Sequence, residues 1–305
     1  MNKRPLKNVS ASVHRRLLNI AKNTARPFDE VLQYFAMERF LYRLSRSPHI
    51  DSFVLKGALL FRVWDVPDSR ATRDIDFLAY LDNSPESLAA IVRDICAINE
   101  SDDGLSFDPK SVRAQRIKED ADYEGVRIRF RARLGNARIS MQMDVGFGDL
   151  VHPGAVQASY PALLDLPAPS LRMYPPETVI AEKAQAMVYL GSLNSRMKDF
   201  YDIWRMSQQF SFNGDALCEA IKRTFDNRKT DIMELDDLVA ELLDNEKLDR
   251  QWTAFLRKSA LTGPDTFPQV LTPISDFLSP VFSSINSGKA LDQQWTAPGP
   301  WRVDN

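Results

Sequence analysis

Two short segments decide the fold of this chain: Phe53-Val54-Leu55-Lys56-Gly57-Ala58-Leu59-Leu60 and, after a polar connection, Thr72-Arg73-Asp74-Ile75-Asp76-Phe77-Leu78. The first has the pattern of a short apolar strand, a glycine turn and the start of a helix. The second alternates with a period of two, which is typical of a strand. On such a strand Asp74 and Asp76 project from one face, and the apolar residues project from the other.

Two carboxylates on one strand face repel each other, and a divalent cation between them removes that cost. Hard oxygen ligands suit Mg²⁺, which takes one or two protein carboxylates and completes its shell with phosphates and water. The turn at Gly57 opens a helix, and backbone N–H groups at a helix N-terminus bind phosphate oxygens. Together the two segments predict a site for Mg²⁺ and a nucleoside triphosphate.

The same residues resemble the AbiEii/MenT group of nucleotidyltransferase toxins, within the DNA polymerase beta-like superfamily. The hallmark of that group is a Gly-Ser or Gly-Gly turn followed by Asp-x-Asp. Here the turn is Lys56-Gly57-Ala58, and the acidic pair is Asp74 and Asp76. Ala58 departs from the pattern because it has no hydroxyl group. Backbone amides of the turn would then hold the phosphate, with Lys56 as an additional cation.

The composition of the 305 residues is that of an ordinary globular protein of one or two domains, with 44% hydrophobic and 26% charged residues. The net charge of −2 gives no global basic footprint, so any RNA contact must rely on a local patch. No apolar run is long enough to span a bilayer, and the N-terminus lacks the apolar stretch of a signal peptide. We therefore expect a cytoplasmic protein without a membrane partner. Both cysteines, Cys96 and Cys218, are expected to be reduced core residues.

The most regular pattern is a hairpin, in which two alternating segments flank the turn dipeptide Gly135-Asn136. With this turn, Ile128 faces Met143 on the apolar side, and Arg127 faces Asp144 on the polar side. Four arginines share the polar side: Arg127, Arg129, Arg131 and Arg133. They indicate either a solvated sheet face or a local patch for RNA phosphates.

Asp144 also has two interpretations. In polymerase beta-like enzymes a third carboxylate comes from a strand beside the Asp-x-Asp strand, completes the metal site and can act as the base toward the incoming hydroxyl. The resemblance assigns that place to Asp144, and two-metal phosphoryl transfer favours a third carboxylate. The other interpretation is a surface aspartate paired with Arg127, worth at most about 1 kcal/mol if exposed.

A second pair of motifs follows a proline-rich connection. A proline-opened helix is predicted from Pro175 to about Gly191, and another begins near Asn194. They resemble the family's Pro-Glu…Ala-Glu-Lys and Arg-x-Lys-Asp-x-x-Asp motifs. Lys183 is either a solvated helix residue or a cation that stabilises charge on the leaving pyrophosphate. The resemblance makes Asp199 its acidic partner, whereas antiparallel folding of the two helices would bring Asp202 level with Lys183.

Apolar residues at helical spacing predict the remaining elements. Helices are expected over residues 10–24, with a serine cap at Ser10, over 27–47, and over 84–99. Four more are expected between residues 214 and 284. The tail, with Trp295 and Trp301, is expected to pack back on the body of the protein.

The predicted fold class is α+β, with a polymerase beta-like nucleotidyltransferase core (a mixed sheet with flanking helices) and a helical C-terminal domain. The expected domains are residues 1–165, including the N-terminal helices, and residues 166–305, which would complete the active site. The resemblance implies transfer of a nucleoside monophosphate from an NTP to a hydroxyl group, typically at the 3′ end of tRNA, which blocks translation. It also implies a cognate antitoxin and a role in phage defence.

Two alternatives stay open. One is a nucleotidyltransferase that modifies a small molecule or a protein hydroxyl. The other is a non-catalytic descendant that acts as a binding module. The intact charged residues of both motifs argue against loss of catalysis, while Ala58 leaves room for it. Those charged residues are Lys56, Asp74, Asp76, Lys183 and Asp199.

Overall fold

The computed structural model describes residues 8–66, 70–120 and 123–303, and the chain separates into two compact units. The first unit comprises the chain through Asp65 together with Ala71–Gly148 and Val156–Met173. The second comprises Val66–Arg70, Asp149–Ala155 and the chain from Tyr174 onward. Each unit is therefore assembled from segments that are separated in sequence.

A mixed sheet of seven described strands forms the centre of the first unit, in the spatial order β3-β4-β5-β2-β1-β7-β6. The strands are β1 (Phe53–Lys56), β2 (Asp74–Ala79), β3 (Leu105–Asp120), β4 (Tyr123–Leu134), β5 (Ala137–Phe147), β6 (Val156–Ser159) and β7 (Ser170–Met173). Strand β2 pairs antiparallel with β1 and parallel with β5. The Asp-x-Asp strand thus lies between the glycine-turn strand and the second strand of the hairpin.

The helices of the first unit are α1 (Val9–Asn23), α2 (Phe28–Ser45), the single turn α3 (Leu60–Val63) and α4 (Pro85–Ala97). Ser84 caps α4, with Pro85 at its first position, as predicted. The predicted cap of α1 is wrong, because Asn8 accepts the backbone hydrogen bond there. Ser10 instead donates its hydroxyl to the carbonyl oxygen of Gly104.

The hairpin of β4 and β5 has the predicted register, with Ile128 opposite Met143 and Arg127 opposite Asp144. Its apolar partners are buried, and Arg129, Arg131 and Arg133 are exposed. The strict alternation and the two-residue turn fix this register, because a slip by one residue would bury the arginines. One face of the hairpin is therefore core, and the other is basic.

The second unit is mainly helical. Its helices are α5 (Pro176–Leu190), α6 (Met197–Ser207), α7 (Gly214–Asn227), α8 (Leu235–Leu243), α9 (Glu246–Ser259) and α10 (Phe267–Ser287). Short strands β8 (Phe212–Asn213), β9 (Gln294–Trp295) and β10 (Trp301–Arg302) form a small sheet. The tail packs back on this unit as predicted, since the indole nitrogens of Trp295 and Trp301 donate to the carbonyl oxygens of Ser207 and Phe277.

These elements confirm the α+β class. No helix of the described ranges is long and apolar enough to cross a membrane. Both cysteines are free thiols, and Cys96 is buried. The expectation of a core position is wrong for Cys218, which is only half-buried.

Candidate active site

The glycine turn and the Asp-x-Asp strand lie against each other. The pairing of β1 with β2 places Lys56 opposite Asp76. Gly57 follows at a φ of +76° and begins a short 3-10 turn. A Cβ atom at Gly57 would overlap the carboxylate of Asp76. Glycine is required here for two reasons, the left-handed backbone and the close approach to this carboxylate.

The two aspartates of β2 share one face, as their alternation predicts. Asp74 and Asp76 are half-buried, whereas Ile75 between them is fully buried. In the turn, Lys56 is half-buried, and Ala58 is buried with its methyl group in the core. The side chain of Ala58 therefore offers nothing to a ligand, and the expectation that backbone amides replace the missing hydroxyl group stays a prediction.

Asp144 lies on the neighbouring strand, directly opposite Asp76 in the parallel register. Its carboxylate is held by Arg127, whose Nε and Nη2 atoms donate to its two oxygens at 2.8 Å each. Gln142 adds a donor at 3.3 Å. Such a bidentate pair fixes the carboxylate in both position and orientation. The structure therefore brings Asp144 beside the Asp-x-Asp pair but commits its oxygens to Arg127.

Asp74 and Asp76 are the carboxylates that a metal ion at this place would use. Within the part of the chain that the structure describes, no group of three or more His, Cys, Asp or Glu side chains is arranged to hold a metal ion. The two carboxylates of β2 offer the hard oxygen donors that Mg²⁺ prefers. The missing side chain of Gly57 makes room for the Asp76 carboxylate beside the turn. The pair therefore fits a Mg²⁺ ion that completes its shell with phosphate oxygens and water.

The basic side of the hairpin is broader than the sequence pattern indicated. Strand β3 places Arg113 opposite Arg129, and the end of the hairpin places Arg138 opposite Arg133. We call the exposed residues Arg113, Arg129, Arg131, Arg133 and Arg138 the arginine face. Arg138 could have been found from the hairpin register. Arg113 could not, because a bulge in β3 shifts its pairing.

In the second unit, Lys183 on α5 forms ion pairs with two aspartates of α6. Its Nζ atom lies 2.8 Å from Oδ1 of Asp199 and 2.8 Å from Oδ2 of Asp202. Both aspartates are buried. The sequence left open which of them is the partner of Lys183, and the structure gives it both.

Two arginines complete what we call the Lys183 cluster. Nε of Arg196 lies 2.7 Å from Asp199, and Nη2 of Arg70 lies 3.3 Å from Asp202. Arg70 precedes the Asp-x-Asp segment, and the sequence carries no signal for its contact with Asp202, which is 132 residues away.

The electrostatics of the cluster keep its central pair ionised. Burial opposes the charge of Asp199, but Lys183 and Arg196 outweigh it and lower the pKa of Asp199 to about 2. Burial likewise acts to lower the pKa of Lys183, and the charges of Asp199 and Asp202 reverse this and raise it. Lys183 is therefore a permanent, fixed cation.

The family described as "Nucleotidyl transferase AbiEii toxin, Type IV TA system" matches residues 39–273 of the 305. The match includes the glycine turn, the Asp-x-Asp strand and the Lys183 cluster. This chain belongs to the AbiEii nucleotidyltransferase toxin family. Membership makes it a nucleotidyltransferase of the toxin type, with an NTP substrate and an antitoxin partner.

Two solved structures resemble this AbiEii family member distantly. One, described as a nucleotidyltransferase from H. pylori, is 17% identical, with a TM-score of 0.43 over 82% of this chain and 94% of that chain. The other, JHP933 from Helicobacter pylori, is 16% identical, with a TM-score of 0.44 over 82% of this chain and 90% of that chain. No curated protein matches the sequence.

Proposed function

We propose that this protein transfers a nucleoside monophosphate from an NTP to an acceptor hydroxyl in a reaction that requires Mg²⁺. The acceptor oxygen forms a bond to the α-phosphorus, the bond from that phosphorus to the β-phosphate oxygen breaks, and pyrophosphate leaves. The hydroxyl loses its proton in the same step. The observation that carries the proposal is the contact between the Gly57 turn and Asp76, on a strand that also presents Asp74.

The residues of the first unit would bind the metal ion and the triphosphate. Asp74 and Asp76 would hold Mg²⁺, which supplies charge neutralisation at the triphosphate when bound. Backbone amides of Gly57 and Ala58 would donate to phosphate oxygens, with Lys56 as a nearby cation. Asp144 would act as a third ligand or as the base only once its oxygens are released from Arg127.

We propose that Lys183 and Asp199 also take part in the reaction. Lys183 would stabilise the charge that builds on the leaving pyrophosphate, and Asp199 would orient it. Two observations support this role: Lys183 is held by two buried aspartates, and their charges raise its pKa. A cation whose position is fixed before the reaction is most effective at this task, because no reorganisation is needed.

The acceptor that we propose is the 3′ end of tRNA, whose modification in the cytoplasm would block translation in phage defence. The arginine face supports an RNA acceptor over a small molecule. It lies on the same side of the sheet as Asp144. Arg127 is opposite Asp144 in the hairpin, and Arg129 follows Arg127 at a spacing of two residues, which keeps both on one side of β4. Exposed arginines along a strand suit a row of phosphates, which positions an RNA without reading its sequence.

The proposal is tested by incubating the protein with Mg²⁺, total tRNA and each α-³²P-labelled NTP in turn. We expect one nucleotide to label tRNA, and excess EDTA to abolish the labelling. Label on a protein or a small molecule instead would favour the alternative acceptor. No transfer from any NTP would favour a non-catalytic binding module.

A charge-removal variant tests the arginine face separately. Arg129, Arg131 and Arg133 are changed together to Gln, and tRNA binding is measured as a function of salt. Each lost phosphate contact should reduce the slope of log K against log salt by about one, with NTP binding unchanged. The matched control removes Arg15, Lys22 and Arg46, which are exposed elsewhere in the first unit. A wild-type salt slope in the first variant would make the arginine face a merely solvated surface.

A further inference from the structure

A pocket of about 510 Å³ opens in the second unit, between the beginning of α6 and the helix α9. Its wall includes Arg196 and Lys198 from the first segment and Gln251, Phe255 and Lys258 from α9. Arg196 also pairs with Asp199, so the pocket adjoins the Lys183 cluster. The proposed transfer reaction leaves the α9 side of this pocket without a role.

Two lysines give the pocket a positive charge. Among the residues that the structure describes, neither Lys198 nor Lys258 has an ion-pair partner. The side chain of Lys198 is largely exposed. The protein around its ammonium group nevertheless lowers the pKa of that group, chiefly by desolvation. Asp199 opposes this shift, while nearby cations, including Lys183, reinforce it. A phosphate beside Lys198 would supply the negative charge that this ammonium group lacks.

The α9 wall adds an aromatic ring. The ring of Phe255 is held by Tyr201 and Trp252, at centroid distances of 5.9 and 5.8 Å. A fixed ring and two ammonium groups are what one nucleotide would engage.

The basic surface continues beyond the pocket along α9. Lys247 is exposed about one turn before Gln251, and Arg250 is exposed directly before it. Helical spacing places Lys247, Gln251 and Lys258 on one face. A row of cations on both sides of an aromatic ring matches a row of phosphates better than a single free nucleotide.

We propose that this pocket binds one nucleotide of a single-stranded polynucleotide. The base would stack on Phe255, with its flanking phosphates near Lys198 and Lys258. The inference rests on the proposed function for the expectation that the acceptor is a nucleic acid. It concerns binding alone and involves no transfer step.

The experiment measures fluorescence anisotropy of a labelled short single-stranded RNA, in protein that also carries Asp76→Asn so that no transfer can alter the probe. Phe255→Leu should weaken RNA binding by about 5- to 100-fold, which corresponds to the loss of one base stack. Phe255→Tyr should bind like the parent protein, because it retains the ring. Lys258→Gln should reduce the salt slope by about one. The matched control is Arg257→Gln, which removes the same charge one residue away from the pocket wall.

The outcomes separate the possible ligands. Equal weakening for RNA and for DNA of the same sequence supports a site for polynucleotides in general, and weakening for RNA alone supports a site that also reads ribose. An effect confined to free ATP overturns the inference, as does parental RNA binding by both Phe255→Leu and Lys258→Gln. An absence of RNA binding by the parent protein overturns it too. RNA binding that requires Phe255, combined with failure of the transfer assay, would sustain this inference and contradict the proposed function.

Discussion

Gly57 and Asp76 are so close that a Cβ atom on the glycine would overlap the aspartate's carboxylate. This contact joins two segments of the chain that the sequence presents separately, the turn after β1 and the Asp-x-Asp strand. A second glycine, Gly148, has almost the same backbone angle, with a φ of +77° against +76° for Gly57. Nothing lies within 4 Å of the position of its missing Cβ atom. The two glycines therefore separate backbone strain from steric overlap.

Replacing Gly57 by Ala should cost more than replacing Gly148 by Ala. Gly148→Ala should lose about 1–2 kcal/mol of unfolding free energy, because an L-residue is strained at positive φ. Gly57→Ala should lose at least about 1 kcal/mol more, because Asp76 must move away from the new methyl group. Urea unfolding of both variants measures the difference. Equal losses would show that the contact between Gly57 and Asp76 imposes no constraint.

Lys183→Met should lower the stability of the protein as well as its turnover. The sequence pattern indicated a lysine that serves the triphosphate, whereas the structure also makes it the partner of two buried aspartates. Removing one partner of a buried pair costs about 3–5 kcal/mol. Arg196 and Arg70 still neutralise Asp199 and Asp202, so we expect a loss near the lower end of that range.

Double-mutant cycles of Lys183→Met with Asp199→Asn and with Asp202→Asn measure the pairing directly. Each cycle should give a coupling energy of about 0.5–3 kcal/mol. Additive losses in both cycles would contradict the ion pairs. Coupling in only one cycle would identify a single effective partner.

Arg127→Met should destabilise the first unit by about 1–3 kcal/mol, as judged by chemical denaturation. It leaves the buried carboxylate of Asp144 without its bidentate partner, and the partial exposure of Arg127 moderates the cost. Arg129→Met is the matched control on the same strand face, and should change stability by no more than about 0.5 kcal/mol. Similar values for the two variants would mean that the carboxylate of Asp144 does not depend on Arg127.

Glu38 on α2 predicts a pH dependence of stability. Burial raises its pKa to about 7, although Arg39 lies 3.0 Å away and the amide of Leu163 donates to it. Its folded-state pKa lies above the unfolded value, so between about pH 4 and pH 7 the folded state binds more protons. Stability is therefore full below this window and is lost as the pH rises through it, by up to about 1.4 kcal/mol per pH unit.

Glu38→Gln should remove this slope, because glutamine keeps an acceptor for the amide of Leu163 and does not titrate. The unfolding free energy at several pH values between 4 and 8 measures it. Glu30→Gln on the same helix, whose partner is Arg26 at the surface, should keep the wild-type slope. The same slope in the Glu38 variant as in the wild type would contradict the buried, titrating carboxyl group.

Local sequence patterns predicted those elements that local interactions determine. The hairpin register followed from alternation and the turn at Gly135-Asn136, because one buried face leaves a single possible pairing. The Asp-x-Asp strand was likewise predicted from its alternation, and the turn before it from Gly57 at the end of a short apolar segment. Strand β6 was missed, since its four mostly exposed residues among prolines carry no apolar period.

Contacts between distant segments could not be predicted in this way. Helical spacing made α2 a packing layer, but it gives no sign that Glu38 and Arg39 are buried as an ion pair. For the same reason the sequence did not predict the pairing of Arg70 with Asp202, and it did not decide between Asp199 and Asp202 as the partner of Lys183. Spacing along the chain does not show how far a side chain reaches in three dimensions. The catalytic roles of these residues stay predictions that only activity measurements test.

Nucleotide transfer by Asp76→Asn tests the central claim most directly. Asparagine keeps the size and polarity of the side chain but removes the negative charge that would hold Mg²⁺ beside the Gly57 turn. The control is Asp94→Asn, an exposed carboxylate on α4 that forms an ion pair with His49. We predict that the wild type and Asp94→Asn transfer label from an NTP to tRNA, while Asp76→Asn loses at least about a hundredfold in rate and keeps its melting temperature. Transfer at the wild-type rate by a folded Asp76→Asn variant would contradict the account.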